Sequence, residues 1–311
     1  MNAIPVTNPP PPGTNQSETP PIETPLMRFC GEFAESKLAL IGLALLVVIV
    51  LVAIFAPLIS PQNPYDLGQL DIMDSKLAPG EKSAAGNTHL LGTDDQGRDM
   101  LSAIFYGLRI SLGVGLASTV FALAIGLFFG MIAAYFGGWV DTVIMRVVDI
   151  QLSFPAILIA LILLAVLGQG VDKIIVALIT VQWAYYARTV RASALVEKQK
   201  EYIEAAKVLA LSKTRILFRH MLPNCLPPLI VVATVQVAHA IALESTLSFL
   251  GLGLPITEPS LGLLISNGFT YLMSGKYWIS FYPGLALLLT IMSINLVADQ
   301  LRDVLNPRLK K

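Results

Sequence analysis

Charge is what this sequence has least of. Only 14% of its 311 residues are Asp, Glu, Lys or Arg, while 55% are hydrophobic and mean hydropathy is +0.69. Soluble domains carry about 25% charged residues, so this chain has too little charge to cover a soluble surface. Its 21 basic and 21 acidic residues cancel, which removes the global field that nucleic acid or an acidic substrate would call for. There are two cysteines, Cys30 and Cys225, and they do not resemble a disulfide framework. Three histidines, His89, His220 and His239, stand on separate segments, so no metal-ligand cluster is visible. H-E-x-x-H is absent, as is G-x-S-x-G with partners. The one Gly-Lys pair, Gly275-Lys276, has Thr270 where a phosphate loop needs its first Gly. No catalytic residue, metal or cofactor is assigned to the chain, and it cannot hydrolyse ATP through a phosphate loop of its own.

What is present is long charge-free sequence. Runs without Asp, Glu, Lys or Arg cover 38–65, 110–140, 150–171, 174–187, 221–243 and 277–298. A spanning helix needs about 20 mainly apolar residues. Five runs reach that length. The fourth is short and extends if Lys173 and Arg188 snorkel to opposite interfaces. The pattern predicts an all-α polytopic membrane protein with six transmembrane helices near 38–60, 106–134, 142–168, 172–190, 224–248 and 278–300. Pro155 should kink or break the third. A buried soluble core is the rival reading, and six such runs leave it little room.

Orientation follows from Lys and Arg. With both termini cytoplasmic, fifteen of the 21 basic residues lie inside, eight of them between Arg188 and Arg219. Lys76, Lys82, Arg98, Arg109, Lys173 and Lys276 fall outside. The positive-inside rule supports that arrangement. The chain then divides into a Pro-rich tail (1–26), an interfacial helix (27–37), the first span (38–60) and an extracytoplasmic loop (61–105). A five-helix core (106–304) and a short cytoplasmic tail (305–311) follow. The first 25 residues hold eight prolines and no basic residue, which suits a disordered or polyproline segment and not a secretory signal. A PxxP-type ligand role is the alternative to an inert tail.

Some polar residues fall where hydrocarbon should be. Glu244, in the fifth span, is a functional candidate by cost alone; the alternative is a helix-end residue facing a polar neighbour. Gln182, Gln236, His239 and Asn295 can serve as interhelical hydrogen bonders. Ala122, Gly126 and Gly130 read as a packing face.

The longest cytoplasmic stretch, 197–223, is the most informative. Glu201–Leu209 is rich in helix formers. Ser212 can cap a second short helix running to His220, and Pro223 should separate that element from the fifth span. Leu211, Ile216, Leu217 and Phe218 are expected to be exposed. The stretch is either a basic loop that only enforces topology or a helical element that docks in a partner's groove.

At these residues the sequence resembles a family. Glu204-Ala205-Ala206 with Leu222-Pro223 is similar to the E-A-A-x3-G-x9-I-x-L-P loop of bacterial ABC importer permeases. Ala210 stands at the usual Gly, and His220 stands at the Ile, as in the peptide branch. If the Gly position is left-handed, Ala210 costs on the order of 1 kcal/mol. Further motifs follow that family in order: His89-Leu-Leu-Gly-Thr-Asp-Asp-Gln-Gly-Arg98-Asp99, Ala134-Tyr-Phe-Gly-Gly-Trp-Val-Asp141 with Arg146-Val-Val-Asp149, Glu244-Ser-Thr-Leu-Ser-Phe-Leu-Gly-Leu-Gly253, and a tail from Asn295 to Arg308. The chain thus resembles the C-type permease of a dipeptide or oligopeptide ABC importer over roughly residues 28–311.

The resemblance implies a type I ABC importer permease fold in the bacterial inner membrane and half of a peptide pathway. It also implies a homologous second permease, two cytoplasmic ABC ATPases that bind ATP and Mg, and an extracytoplasmic binding protein, with membrane lipid around the spans and no nucleic acid. The coupling loop would comprise Glu201, Glu204, Ala205, Ala206, Ala210, Leu211, His220, Leu222 and Pro223. Outside, Gly92, Thr93, Asp94, Asp95, Gly97, Arg98 and Asp99 form either a ledge for the binding protein or a structural turn in which Asp95 or Asp99 satisfies Arg98. Arg146 with Asp141 and Asp149 either braces the second–third connection or forms a local ion pair. Nickel complexes, glutathione and opines are alternative cargoes. An ion-coupled carrier using Glu244 and an intramembrane enzyme are the rival classes.

Overall fold

The computed structural model describes residues 24–83 and 86–305 and contains no strand among them, only two isolated bridges, Lys82 with Thr88 and Thr93 with Asp99. Most of the Pro-rich tail, and nearly all of 305–311, lie outside the described residues. The helices are α1 (Pro25–Ala34), α2 (Lys37–Ile59), α3 (Met100–Phe136), α4 (Gly138–Leu152), α5 (Ala156–Leu167), α6 (Val171–Lys198), α7 (Glu201–Val208), α8 (Lys213–Arg215), α9 (Leu222–Phe249), α10 (Leu261–Phe269) and α11 (Trp278–Leu305).

Local sequence sets these boundaries. Ser36 caps α2 by accepting from Ala39 N at 3.3 Å, and Ser260 caps α10 by accepting from Leu263 N at 3.2 Å. Asp99 caps α3 by accepting from Ser102 N at 2.8 Å. That cap starts α3 two turns before the expected 106. At about 1.5 Å per residue its 37 residues run roughly 55 Å, well beyond a hydrocarbon core of about 30 Å.

Four stretches are long and apolar enough to cross a membrane: Lys37–Ile59, Met100–Phe136, Lys213–Phe249 and Trp278–Leu305. The pair α4 and α5 makes a fifth if counted as one broken span, bent by 88° at Ser153–Pro155. Pro155 caps α5 there and cannot donate to the helix before it. The fourth expected span falls in α6, which is long enough but too polar by composition, with Asp172, Lys173, Arg188 and Arg191. The reason is packing. α6 runs along α3 and touches α4, α5 and α9, and Ala177, Leu178, Ala184, Tyr186 and Val190 are fully buried. A helix sheathed in protein need not be apolar all round. By contrast α2 leaves Leu38, Ile41, Val48, Leu51 and Phe55 exposed, as contact with lipid requires.

The α3–α6 seam is made by small residues. A Cβ on Gly126 would lie 2.6 Å from Trp183 O and 2.8 Å from Ala187 N; one on Gly130 would lie 2.6 Å from Ala187 O. Ala122 is fully buried beside them. The expected packing face is therefore the closest backbone approach of the two helices.

Hydrogen bonds sort the helix ends into two groups. At one end Gln62 N donates to Ser102 Oγ, Gln169 Nε2 to Gly251 O and Trp278 Nε1 to Thr93 O. This gathers the C-terminal ends of α2, α5 and α9 with the N-terminal ends of α3, α6 and α11. At the other end Lys198 Nζ donates to Ala134 O at 2.9 Å and Tyr135 O at 2.7 Å, and Gln300 Nε2 donates to Glu32 O at 3.0 Å. That end carries α1, α7, α8 and both described chain ends.

Candidate functional site

The element at the second end is built from α7 to the start of α9. Ile203 and Ala206 pack into a core with Met131, Ala134, Val190, Ala194, Ile216 and Met221. Glu201, Glu204 and Ala205 point outward, with Val208 86% and Leu209 72% exposed. The paired alanines therefore part company. Ala206 lets α7 approach α3 and α6, and Ala205 belongs to a flat outer face of two carboxylates and two apolar side chains. That face suits a groove on a partner.

Ala210 has φ +52°. It is a left-handed residue with a Cβ, closing α7 through Ala210 N donating to Lys207 O and Leu211 N donating to Ala206 O. Replacing Ala210 by Gly should stabilise this turn by about 1 kcal/mol. A rise in the thermal midpoint of the purified protein, read against an Ala205→Gly control at an exposed helical site, checks it; Ala205→Gly should lower the midpoint instead.

Beyond the turn, Ser212 Oγ accepts from Arg215 N at 3.4 Å and starts α8. Here the structure departs from expectation. Pro223 does not separate this element from α9. A π-helical turn, Ile216–Met221, carries the chain into α9 without a break. Its wider turn makes room for Pro223, which could not donate to a regular α-ladder. Of the four residues expected to be exposed, only Phe218 is (59%); Ile216 is buried, and Leu211 and Leu217 are half-buried against the α7 core.

A polar clamp ties the element to α6 and α9. Tyr202 Oη donates to Glu197 Oε1 and accepts from Asn224 Nδ2 at 2.9 Å, while Asn224 Nδ2 also donates to His220 O at 2.8 Å. Lys200 Nζ lies 2.8 Å from Glu197 Oε2. Burial, then the bond to Glu197, pushes the Tyr202 phenol up to about 12. Glu197 and Tyr202 were not singled out from the sequence; a lone acid beside basic residues is not conspicuous there. Farther along, Asp141 pairs with Arg191 and Asp149 with Arg188 at 2.6 Å. The brace therefore links α4 to α6 and does not use Arg146, which is exposed.

At the first end, Gly92 to Asp99 fold inward. Arg98 (1% exposed) donates through Nε to Asp94 Oδ2 at 2.6 Å and through Nη1 to Ile256 O at 3.3 Å. Asp94 Oδ1 accepts from Gln96 N and Arg98 N, each at 2.9 Å. The partner of Arg98 is thus Asp94, neither Asp95 nor Asp99, because the four-residue turn brings Asp94 under the guanidinium. Asp99 is engaged elsewhere. It accepts from Ser102 and lies 2.9 Å from His89 Nδ1. Thr93 Oγ1 donates to Asp74 O. Gly92 has φ +77° and a Cβ there would lie 2.5 Å from Leu77 O, so only Gly fits. Asp95 is half-buried, and burial followed by repulsion from Asp94 raises its carboxyl above the usual range. The candidate ledge is largely an internal polar knot.

The intramembrane polar residues do not converge. Glu244 is fully buried and accepts from Ser111 Oγ and Ser248 Oγ, both at 2.9 Å, and from Ser245 Oγ at 3.4 Å. It braces α9 against α3 and lines neither cavity described below. Gln182 is buried, Gln236 half-buried, and His239 and Asn295 exposed on different helices.

Two cavities open on α3 instead. One, of about 710 Å³, lies between α2, α3, α9 and α11 and is mostly apolar. The other, of about 250 Å³, lies between Tyr65, Tyr106 and the start of α6. Arg109 and Gly113 line both. Arg109 passed in the sequence only as one of the outside cations.

Comparison with known proteins agrees with this geometry. The profile of the family described as binding-protein-dependent transport system inner membrane component matches residues 126–311, and that of the N-terminal TM domain of oligopeptide transport permease C matches residues 24–79. The chain is 42% identical to the dipeptide transport system permease protein DppC of Escherichia coli (strain K12), over 93% of this chain and 95% of the relative. It is 36% identical to DppC of Haemophilus influenzae, over 93% and 97%. A putative peptide transport system permease protein of Brucella suis is 41% identical over 87% and 88%. Among solved structures, a chain of the MetNI methionine ABC transporter in an inward-facing conformation aligns with TM-score 0.54 and 22% identity, covering 66% of this chain and 97% of that one. That likeness is one of fold.

Proposed function

The chain belongs to the binding-protein-dependent transport system inner membrane components, and from that premise we propose how it works within its importer. It is a multi-pass permease subunit of a peptide ABC importer, a transport component and not an enzyme. In the proposed assembly it pairs with a homologous permease and forms half of the path for di- and oligopeptides delivered by an extracytoplasmic binding protein. Two cytoplasmic ABC ATPases bind ATP and Mg. Both termini are cytoplasmic, which puts the end bearing α7 inside and the knot around Arg98 outside, in accord with the distribution of Lys and Arg.

The observation that carries this reading is the outer face of α7. Val208 and Leu209 are large, apolar and exposed beside Glu201 and Glu204, at the end where cations concentrate. The inner face is locked to α3 and α6, and the Glu197–Tyr202–Asn224 clamp joins α6 to α9. Movement of an ATPase groove holding α7 would therefore turn α6 and α9 together, shifting the spans between inward-open and outward-open states.

A cysteine placed at Ala205 should crosslink to the ATPase in the assembled complex, with a yield that changes when ATP is bound. A cysteine at Ala206 should not, because that side chain faces the core. Complete absence of the Ala205 crosslink in a complex that still contains the ATPase would contradict the docking assignment. Gradient-driven peptide uptake by the isolated chain in liposomes would favour the ion-coupled carrier.

A further inference from the structure

We propose that Arg109 receives the C-terminal carboxylate of the peptide at the outer mouth of the pathway; this rests on the peptide-permease reading above. Arg109 is the lone charged residue from Met100 to Val140 and lies in the third turn of α3. No acid pairs with it among the described ion pairs, and its side chain is exposed. A cation on a spanning helix is costly against lipid and faces a water-filled path or a counter-charge. Arg109 stands where the 250 Å³ and 710 Å³ cavities meet on α3.

The surroundings match one chemistry. A guanidinium presents a planar fork of donors that fits a carboxylate. Gly113, the next residue on the same face, has nothing within 4 Å of a would-be Cβ, so the space beside the fork is open. Tyr65 and Tyr106 wall the smaller cavity with rings 5.4 Å apart. Tyr65 Oη donates to Glu258 Oε2 at 2.9 Å, which fixes an acid beside the same cavity wall. The mouth thus offers a free cation and a positioned anion, the opposite charges to those at the two ends of a zwitterionic peptide. The larger cavity is lined chiefly by Leu, Val and Ile, with Thr119 and Thr234 as its hydroxyls, and accepts varied side chains without selecting one. Every peptide with a free C-terminus carries the same carboxylate, so a single Arg at the mouth serves a broad substrate range.

The test uses the complete importer in liposomes with its binding protein and radiolabelled dialanine. Arg109→Gln should lower the number of peptides imported per ATP hydrolysed at least tenfold. Binding-protein-stimulated ATPase activity and the set of copurifying subunits should stay unchanged. Arg109→Lys, which keeps the charge, should restore at least a third of the wild-type ratio. A merely structural Arg would lower uptake and ATPase activity together, and that result would overturn the proposal. Loss of the second permease from the purified Arg109→Gln complex would also overturn it, making Arg109 an interface cation. Unchanged import by Arg109→Gln would overturn it while leaving the peptide reading intact. Failure of the wild-type complex to import dialanine would instead remove the peptide reading on which the proposal stands.

Discussion

Asp94→Ala should cost the folded chain about 3–5 kcal/mol, the penalty for removing one member of a buried ion pair. Asp94 is fully buried and Arg98 is 1% exposed. Without the carboxylate, the guanidinium keeps only Ile256 O at 3.3 Å, and its Nη2 already lacks a hydrogen-bond partner. The turn also loses the acceptor for Gln96 N and Arg98 N. At roughly 2 °C per kcal/mol for a chain of this size, the thermal midpoint should fall by about 6–10 °C, and assembled permease in the membrane should fall with it. The double variant Asp94→Asn, Arg98→Met should recover most of that loss. Asn keeps an acceptor for the turn amides, and Met fills the buried volume without a charge. If Asp94→Ala is as stable as wild type, the knot is not a structural element, and its residues return to candidacy as a docking ledge.

Gly126→Val should be more severe, abolishing assembly of the chain with its partners. The nearest atoms to a new Cβ are Tyr186 Cβ, which no rotamer moves, and the backbone atoms Trp183 O at 2.6 Å and Ala187 N at 2.8 Å. No rotamer change in α6 can make room, so α3 and α6 must separate along their seam. Overpacking of a compliant core costs about 1–3 kcal/mol; here the displaced object is a helix that carries much of the core. Gly113→Ala, on the same helix with open space around it, should be neutral or stabilising, since Ala is the better helix former by up to about 1 kcal/mol. Measuring assembled complex by copurification for the two variants separates helix propensity from packing. Normal assembly of Gly126→Val would mean that the seam is looser than the structure has it.

Much of this was legible beforehand because membrane insertion writes itself into composition. Charge-free runs identify α2, α3, α9 and α11, since hydrocarbon tolerates no exposed charge. Pro155 marks the broken span because proline lacks an amide hydrogen. Ala210 at a left-handed position was readable as a cost once the turn was suspected. The fourth span was harder to read: α6 is polar in sequence because its neighbours are protein. Pro223 misled because a π turn, which no short motif announces, absorbed it. Arg98 drew the wrong partner because three carboxylates lie within four positions of it, and only the turn chooses among them.

The sequence by itself determined that this chain is a helical membrane protein, where its apolar spans run and which loop carries the E-A-A motif. These follow from solvent preference and local chemistry, which each residue carries alone. Only the tertiary structure decided that Ala205 faces out and Ala206 in, that Glu244 sits among serines and lines neither cavity, and that Arg109 lines both cavities with no acid paired to it among the described residues. Those are matters of what lies across from a side chain, set by helices far apart in the chain.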